Sequence, residues 1–477
     1  MDAIDTRFDD VRRQLSTITE PAWIVGGAVR DILRGLPVVD VDIAIAADAD
    51  GAAKRLARAY DAVRFPLSDA FGAWRIVGGA LPFQVDITPL QGSTIAEDLS
   101  RRDLTVNAIA VALDDGGVVD TTGGLGDLER GVLRMVAPDA FHADPVRIVR
   151  LARIALQTGF AIDESTRLRA RMDAGAIADT ATERVFDELI RIAKWDTAWR
   201  GFEILDEVGG LGVIIPQLEE GRGLEQTPYH HKDVLGHTLE VVRHACDMRR
   251  DPANMFRGDG DAVAALLAEP LADEMSRGDA LMFACLFHDM AKPETYAVTP
   301  EGRATFFGHD RVGAELASAW CRRHNTSNRL RETVAQCVRE HLALGFMVHR
   351  QPLSLRQIVR YLDRTSPADV ELIVLSCADR LATNGARTTP PQITRHLDVA
   401  RQVTRQMVAL AERGTPVPLL DGRQILAIVG RDPGPWTAAV VNALREEQIV
   451  GLVTTRAQAG RFVREWMARD ASADEHQ

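Results

Sequence analysis

The stretch "VGGAVRDILRGLPVVDVDIAIA", residues 25–46, decides how the N-terminal part of the chain is read. It opens on a glycine pair, Gly26 and Gly27, and closes on Asp40 and Asp42, set in a run of valine, isoleucine and alanine. A carboxylate in apolar surroundings is costly unless a cation or hydrogen-bond donors meet it. Alternate residues of a strand share a face, so Asp40 and Asp42 stand side by side. Like charges that close repel unless a cation or a proton intervenes. Mg2+ takes oxygen ligands, commonly one or two carboxylates plus substrate phosphates. The glycines fall between a strand ("AWIVGG") and a short helix ("AVRDILRG") stopped by Gly35, where backbone N–H groups can receive a phosphate. Arg30 and Asp31 follow in the first turn, and Asp86, in "FQVDI", offers a third carboxylate to the same cluster. A DxD pair alone marks an ordinary strand edge, and GG alone a plain turn. The order strand, GG, helix, turn, DxD strand favours a nucleoside triphosphate held by backbone and Mg2+.

The chain has 477 residues, long for one core, with 46% hydrophobic and 26% charged residues, as a globular protein has. The N-terminus lacks a basic head followed by an apolar run, and no apolar run reaches a membrane span. The five cysteines are scattered, without CxxC spacing, which argues against structural zinc or a disulfide framework and for a reducing, cytoplasmic location. The net charge of -12 disfavours a surface that attracts nucleic acid everywhere, but not a local basic track. Residues 1–138 alternate helix-like and strand-like patterns and form an α/β head. Strands become scarce after it, giving an all-α neck (139–225), a histidine-rich helical block (226–391) and a C-terminal helical region (392–477). "RRDPANMFRGDGDA" reads as a linker inside the third block, and the terminal "DASADEHQ" as disordered.

The opening motif resembles that of the tRNA nucleotidyltransferase and bacterial poly(A) polymerase family, within the polymerase-β-like nucleotidyltransferases. Four further segments match in order: "EDLSRRDLTVNAIAV" (RRD…NA type), "DTTGGLGDLERGVLR", "DPVRIVRLAR" (EDxxRxxR type) and "ERVFDELIRI" (ERxxxEL type). Five ordered motifs over roughly 190 residues are far more specific than any one of them. The resemblance implies that Asp40 and Asp42, with Asp86, are the catalytic carboxylates on Mg2+. It implies that Gly26, Gly27 and Arg30 meet the triphosphate, and that Arg101, Arg102, Asp103 and Asn107 contribute to nucleotide binding, Asn107 with a structural alternative. It assigns base selection to Asp144 and Arg147, read as i and i+3 on one helix face, with Arg150 beside them. Arginine offers only donors and ionised aspartate only acceptors, a set that can match cytosine or adenine edges. A solvated arginine stripe is the plain alternative. Glu183 and Arg184 are read as salt-bridged support.

One departure stands out. Between "FQVDI" and "EDLSRRD" only "TPLQGSTIA" intervenes, where CCA-adding members carry a longer loop. The resemblance therefore predicts addition of CMP and AMP from CTP and ATP to the tRNA 3′ end, with CC addition alone as the alternative. A poly(A) polymerase fits less well, because a basic GRRF-like strand and a long basic tail are lacking. A phosphohydrolase with a nucleotide-binding head is the remaining alternative. A homodimer is left open.

A second constellation lies in the third block. His237 in "HHKDVLGHTLEVV", His288 and Asp289 in "LFHDMAKPE", and Asp379 in "LSCADRLAT" give the H…HD…D order of the HD phosphohydrolase superfamily. Imidazole and carboxylate suit Mg2+ or a divalent transition metal, and the pattern leaves room for an activated water. His309 and His341 stand where two-metal members place extra ligands, and Lys292 is near enough to meet a phosphate. His244, His324 and His349 are read as helix or core histidines. The resemblance implies action on 2′,3′-cyclic phosphates or 3′-phosphates. The C-terminal helices are expected to touch the tRNA body.

Overall fold

The computed structural model describes residues 2–68, 72–414 and 416–474, and falls into two compact units. The first comprises residues 1–192 and 200–216; the second comprises 193–199 and 217–477.

The first unit is built on a seven-stranded sheet. Its elements are α1 (Asp2–Gln14), β1 (Ala22–Val25), α2 (Gly27–Leu33), β2 (Asp40–Ile45), α3 (Ala49–Tyr60), β3 (Val63–Ser68), β4 (Ala73–Val77), β5 (Gln84–Pro89), α4 (Ile95–Ser100), β6 (Ile109–Ala112) and β7 (Val118–Asp120). The strand order is β3-β4-β5-β2-β1-β6-β7, and every pairing is antiparallel except β2 with β5. On β2 the alternation resolves the opening puzzle. Val41, Ile43 and Ile45 are buried with Ile24, Leu56, Val85 and Ile87, while Asp40 and Asp42 point to the open face. β3, β6 and β7 escape a reading by alternation. β6 is buried throughout its first three residues, so it shows no period of two.

Helices follow the sheet. The segment read as a base-selecting helix runs Val146–Thr158 and ends on Gly159 at φ 70. Its buried face carries Ile148, Val149, Leu151, Ala152 and Ala155. The neck departs from all-helical in one place, where Ala161–Ile162 pairs in parallel with Val132–Leu133.

The second unit is helical apart from two short hairpins, Pro270–Ser276 and Ala297–Thr305. Helices Val234–Arg250, Arg277–Phe287, His309–Arg323, Asn328–Glu340 and Asp369–Ala382 supply the second site. Their ends are chemically specified. Asp233 accepts from Gly236 N at 2.7 Å, Ser276 and Asp279 form a reciprocal cap, and Ser327 caps through Leu330 N. Phe287 and Trp320, with ring centres 5.0 Å apart, pack in the core. The stretch read as a linker is instead ordered. Pro252 starts a helix that Asp251 caps at Asn254 N, and Met255 and Phe256 bury themselves. Residues 422–474 form three helices about their own core of Ile425, Val440, Leu444, Val453 and Val463. The last helix continues to Asp474, so most of the tail read as disordered is helical backbone; residues 475–477 lie outside the described residues. All five cysteines are buried and free, and no helix among the described residues is long and apolar enough to cross a membrane.

Candidate active sites

The first site is a cleft of about 770 Å³ in the first unit, lined by Gly26, Gly27, Asp40, Asp42, Asp86 and a set of arginines. Antiparallel pairing sets Val25 against Asp42, which brings the glycine pair over the carboxylate. Gly26 has φ 73, and a Cβ there would sit 3.0 Å from Asp42 Oδ2 and 3.3 Å from Arg102 Nη1. Only glycine meets both demands. Parallel pairing sets Asp42 directly beside Asp86, and Asp40 beside Gln84.

The three carboxylates differ in their partners. Arg75 holds Asp86 with two bonds, Nε to Oδ1 at 2.8 Å and Nη2 to Oδ2 at 2.7 Å. Asp40 and Asp42 have no ion pair within the described residues at salt-bridge distance. Asp42 opens to the cleft but is walled by protein on its other sides. That desolvation pushes its carboxyl up to about 6, with Arg102 opposing the rise and Asp86 and Asp40 adding to it. Two adjacent carboxylates with no cationic side chain between them suit a divalent cation. Asp86, read as offering a third carboxylate, accepts one bond from Arg75 on each oxygen and stands beside Asp42 with further lone pairs.

Arg30 is buried. It binds Asp31 through Nε at 2.9 Å and Asn107 Oδ1 through Nη1 at 2.8 Å. Asn107 passes the link on, donating to Asp103 Oδ1 at 3.1 Å. Asp103 Oδ2 lies 3.6 Å from Arg150 Nη1. Although burial acts to raise the Asp103 carboxyl, Arg150, Asn107 and the Leu104 N–H hold it below its ordinary range. Arg150 also donates to Glu188 Oε1 at 3.1 Å, and Arg153 binds the other oxygen of that buried glutamate. Arg102 pairs with Asp98 at 2.8 Å. Arg101, Arg102, Arg147, Arg150, Arg153 and Arg191 all line the cleft.

The reading of Asp144 and Arg147 on one helix face needs correction. The helix begins at Val146, and Asp144 precedes Pro145 with extended backbone at φ -151. Its carbonyl accepts the Arg147 N–H, which still brings the side chains together, with Arg147 Nε 3.7 Å from Asp144 Oδ2. Arg184 donates to the same oxygen at 2.8 Å. Arg147 in turn donates to the carbonyls of Arg101, at 2.7 Å, and Arg102, at 3.1 Å.

The second site lies wholly in the second unit. Asp289 stands at its centre. His237 Nε2 and His288 Nε2 are 3.5 and 3.1 Å from Asp289 Oδ2; His309 Nε2 and His341 Nε2 are 3.4 and 3.9 Å from Oδ1. Asp379 Oδ1 is 3.1 Å from His237 Nε2. Two candidate ligand groups therefore share one carboxylate: His237, His288 and Asp289, and Asp289, His309 and His341. The outer nitrogens are committed. Nδ1 of His288, His309 and His341 lies 2.8, 2.7 and 2.6 Å from the carbonyls of Cys285, Phe306 and Val338, which assigns the proton to Nδ1. Bare Nε2 atoms then converge, those of His309 and His341 only 3.2 Å apart. Lone pairs facing one another in a buried site fit a cation between them. Burial, with the neighbouring His288, pushes His341 down to about 4. Lys292 Nζ lies 2.6 Å from Asp289 Oδ2 and donates to Gln226. His324 stacks on Trp320, ring centres 3.8 Å apart, as a core histidine.

Two contributors were missed in the sequence. Arg75 sits in "WRIV" on β4, and a strand pattern does not announce which carboxylate its side chain meets. His230 packs edge-on against His237 at 4.9 Å, and burial, with Lys292 and His237 nearby, pushes it down to about 3. The run "HHKD" hides which of its histidines turns inward; His231 pairs with Glu240 at 3.1 Å instead.

Comparison with known proteins agrees with this architecture. "Poly A polymerase head domain" matches residues 22–88 and 81–134, "Probable RNA and SrmB- binding site of polymerase A" matches 159–221, and "HD domain" matches 234–384. The A-adding tRNA nucleotidyltransferase of Deinococcus radiodurans is 35% identical over 93% of this chain and 95% of its own. The CC-adding tRNA nucleotidyltransferase of Thermus thermophilus is 34% identical over 95% of each. The CCA-adding enzyme of Thermotoga maritima, solved in complex with tRNA, shares the fold at a TM-score of 0.61, with 19% identity over 98% of this chain and 94% of that one. The fold and first site are those of a nucleotide-transferring enzyme carrying an HD domain. The chain belongs to the tRNA nucleotidyltransferase family.

Proposed function

We propose that the head adds CMP and AMP, from CTP and ATP, to the 3′ end of tRNA. The observation that carries this reading is the pair Asp40 and Asp42, lacking a cationic partner, on the floor of an arginine-lined cleft under the Gly26 turn. Those two residues would hold Mg2+, which when bound supplies charge neutralisation for the triphosphate and acidifies the attacking 3′-hydroxyl. The chain's own residues do the rest. The Gly26–Gly27 turn lets phosphate approach the backbone, and Arg102 lends positive charge beside it. Arg75 holds the Asp86 carboxylate in place next to Asp42 with two bonds. Asp144 and Arg147, braced by Arg184 and by two carbonyls, lie at the helix start where an incoming base would be read.

CC addition alone is the second reading. Residues 90–94 are all that join β5 to α4, a connection with little room to switch between cytosine and adenine. Relatives of 34–35% identity include A-adding, CC-adding and multifunctional CCA proteins, so similarity by itself does not choose between the two readings. The test is to incubate tRNA lacking its CCA end with CTP, ATP or both and to sequence the products. Ends in CCA support the first reading. Ends in CC with ATP present support the second, and long A tails overturn both.

For the second site we propose hydrolysis of 2′,3′-cyclic or 3′-phosphate esters. His237, His288, Asp289, His309, His341 and Asp379 would hold Mg2+ or a divalent transition metal, which when bound supplies an activated water. Lys292, already beside Asp289, would meet the phosphate.

A further inference from the structure

Three of the four imidazoles at the second site are steered from behind by a carbonyl. His288, His309 and His341 each set Nδ1 within 2.8 Å of one. His237 is the exception. It is buried, its Nε2 faces Asp289 and Asp379, and its Nδ1 meets no hydrogen-bond partner among the described residues. A ligand imidazole left free to turn holds a metal poorly, and the group behind such a ring is worth roughly 10- to 100-fold in affinity. What stands against His237 is another ring, that of His230, with centres 4.9 Å apart and planes at 85°. That distance and angle are those of a favourable edge-to-face pair.

His230 is itself held on several sides. Its backbone N–H donates to the Thr227 carbonyl at 2.9 Å, and its Nδ1 lies 3.2 Å from Thr227 Oγ1. The residues just before it are tied to the loop that follows the Asp379 helix. The Gly385 N–H donates to the Tyr229 carbonyl at 2.6 Å, the Arg387 N–H to the Pro228 carbonyl at 3.1 Å, and Thr388 Oγ1 to the Tyr229 carbonyl at 3.0 Å. The two segments lie so close that a Cβ on Gly385 would sit 2.5 Å from the carbonyl oxygens of both Pro228 and His230. Only glycine allows that approach. The loop beyond one ligand, Asp379, thus fixes the ring that packs on another, His237, although neither His230 nor Gly385 belongs to the two candidate ligand groups. We infer that His230 is a positioning residue for His237, seated by the close contact at Gly385. Its ring does by packing what the three carbonyls do by hydrogen bonding. This rests on the reading of the second site as a metal centre.

Metal-free full-length protein is titrated with Co2+ and followed by visible d–d absorption, which reports ligand number and geometry without any turnover. Every protein in the series also carries Asp42→Asn, so that the first site does not take up the ion. His230→Ala is expected to weaken Co2+ binding about tenfold and to alter the absorption band. His230→Phe, which keeps a flat ring and loses both nitrogens, is expected to restore affinity and band. Gly385→Ala should reproduce the loss seen in His230→Ala without touching a ligand. His231→Ala, next in the chain but paired with Glu240, should bind Co2+ as the parent does. Parent affinity in His230→Ala, or in a folded Gly385→Ala, overturns the inference and leaves the metal-centre reading standing. So does a His230→Phe that binds as weakly as His230→Ala, which would make a nitrogen of His230 the contributing group in place of its ring. A parent protein that takes up no Co2+ overturns the metal-centre reading, and the inference with it.

Discussion

Asp42 and Asp86 stand directly opposite each other in the parallel pairing of β2 with β5, and Arg75 reaches across from β4 to grip Asp86 with both arms of its guanidinium. The arginine faces three carboxylates at once, and Asp86, Asp40 and Asp42 all favour its charged form. Removing it leaves three acids to repel one another. Arg75→Gln takes a positive charge away from Asp42, whose carboxyl is already raised to about 6 and is expected to rise further, so that the acidic limb of kcat/KM for CMP addition moves to higher pH. A pH–rate profile of both proteins checks this; an unmoved limb would count against it.

The raised pKa of Asp42 has a signature in stability. Its carboxyl titrates near 6 in the metal-free folded protein and near 3.8 when unfolded. Between those values the folded state holds a proton that the unfolded state lacks, so this group's contribution to stability falls as pH rises from about 4 to about 6. Asp42→Asn should lose that slope in Tm against pH when metal-free and, with Mg2+ supplied, should lose nucleotide addition by roughly 1,000-fold or more. Normal extension of tRNA by this variant would overturn the assignment of Asp42.

Gly26→Ala combines a left-handed backbone with a Cβ set 3.0 Å from Asp42 Oδ2. The backbone alone costs about 1–2 kcal/mol, and the clash displaces the carboxylate. A lower Tm together with at least a tenfold loss of kcat/KM is expected. Gly35, also at positive φ but with open space around its Cβ position, serves as the control: its alanine variant should lose stability with nucleotide addition kept.

Glu188 is buried between Arg150 and Arg153. Glu188→Gln keeps the shape and removes the charge, leaving two guanidiniums against a neutral amide. A loss of about 2 kcal/mol in stability is expected from weakened charge-assisted bonds, with poorer discrimination between CTP and ATP because Arg150 is one wall of the cleft. Denaturant unfolding and competition between the two nucleotides read the two effects separately.

Asp289→Asn removes the charge shared by both ligand groups of the HD site. Metal content per chain should fall, hydrolysis of cyclic phosphates should disappear, and nucleotide addition should persist, since the carboxylates of the first site lie in the other unit. Joint loss of both activities in a folded variant would contradict two separate sites.

Local order carried much of this protein in its sequence. The alternation Asp40-Val41-Asp42-Ile43 can place its acids on only one face of a strand. A glycine pair before a short helix, and histidines followed by an HD dipeptide just past the end of an apolar helix, are likewise decided within a few residues. The tertiary structure decided what lies across strands and between helices. Register, which no local pattern encodes, set Asp86 beside Asp42 and gave it to Arg75. Proline at 145 delayed the helix and left Asp144 outside it. His230 packs on His237 while His231 pairs with Glu240, a choice that two adjacent identical residues cannot announce. Partners of a charge come from chain far away in sequence, and so the neutralisation of each carboxylate became visible only in the fold.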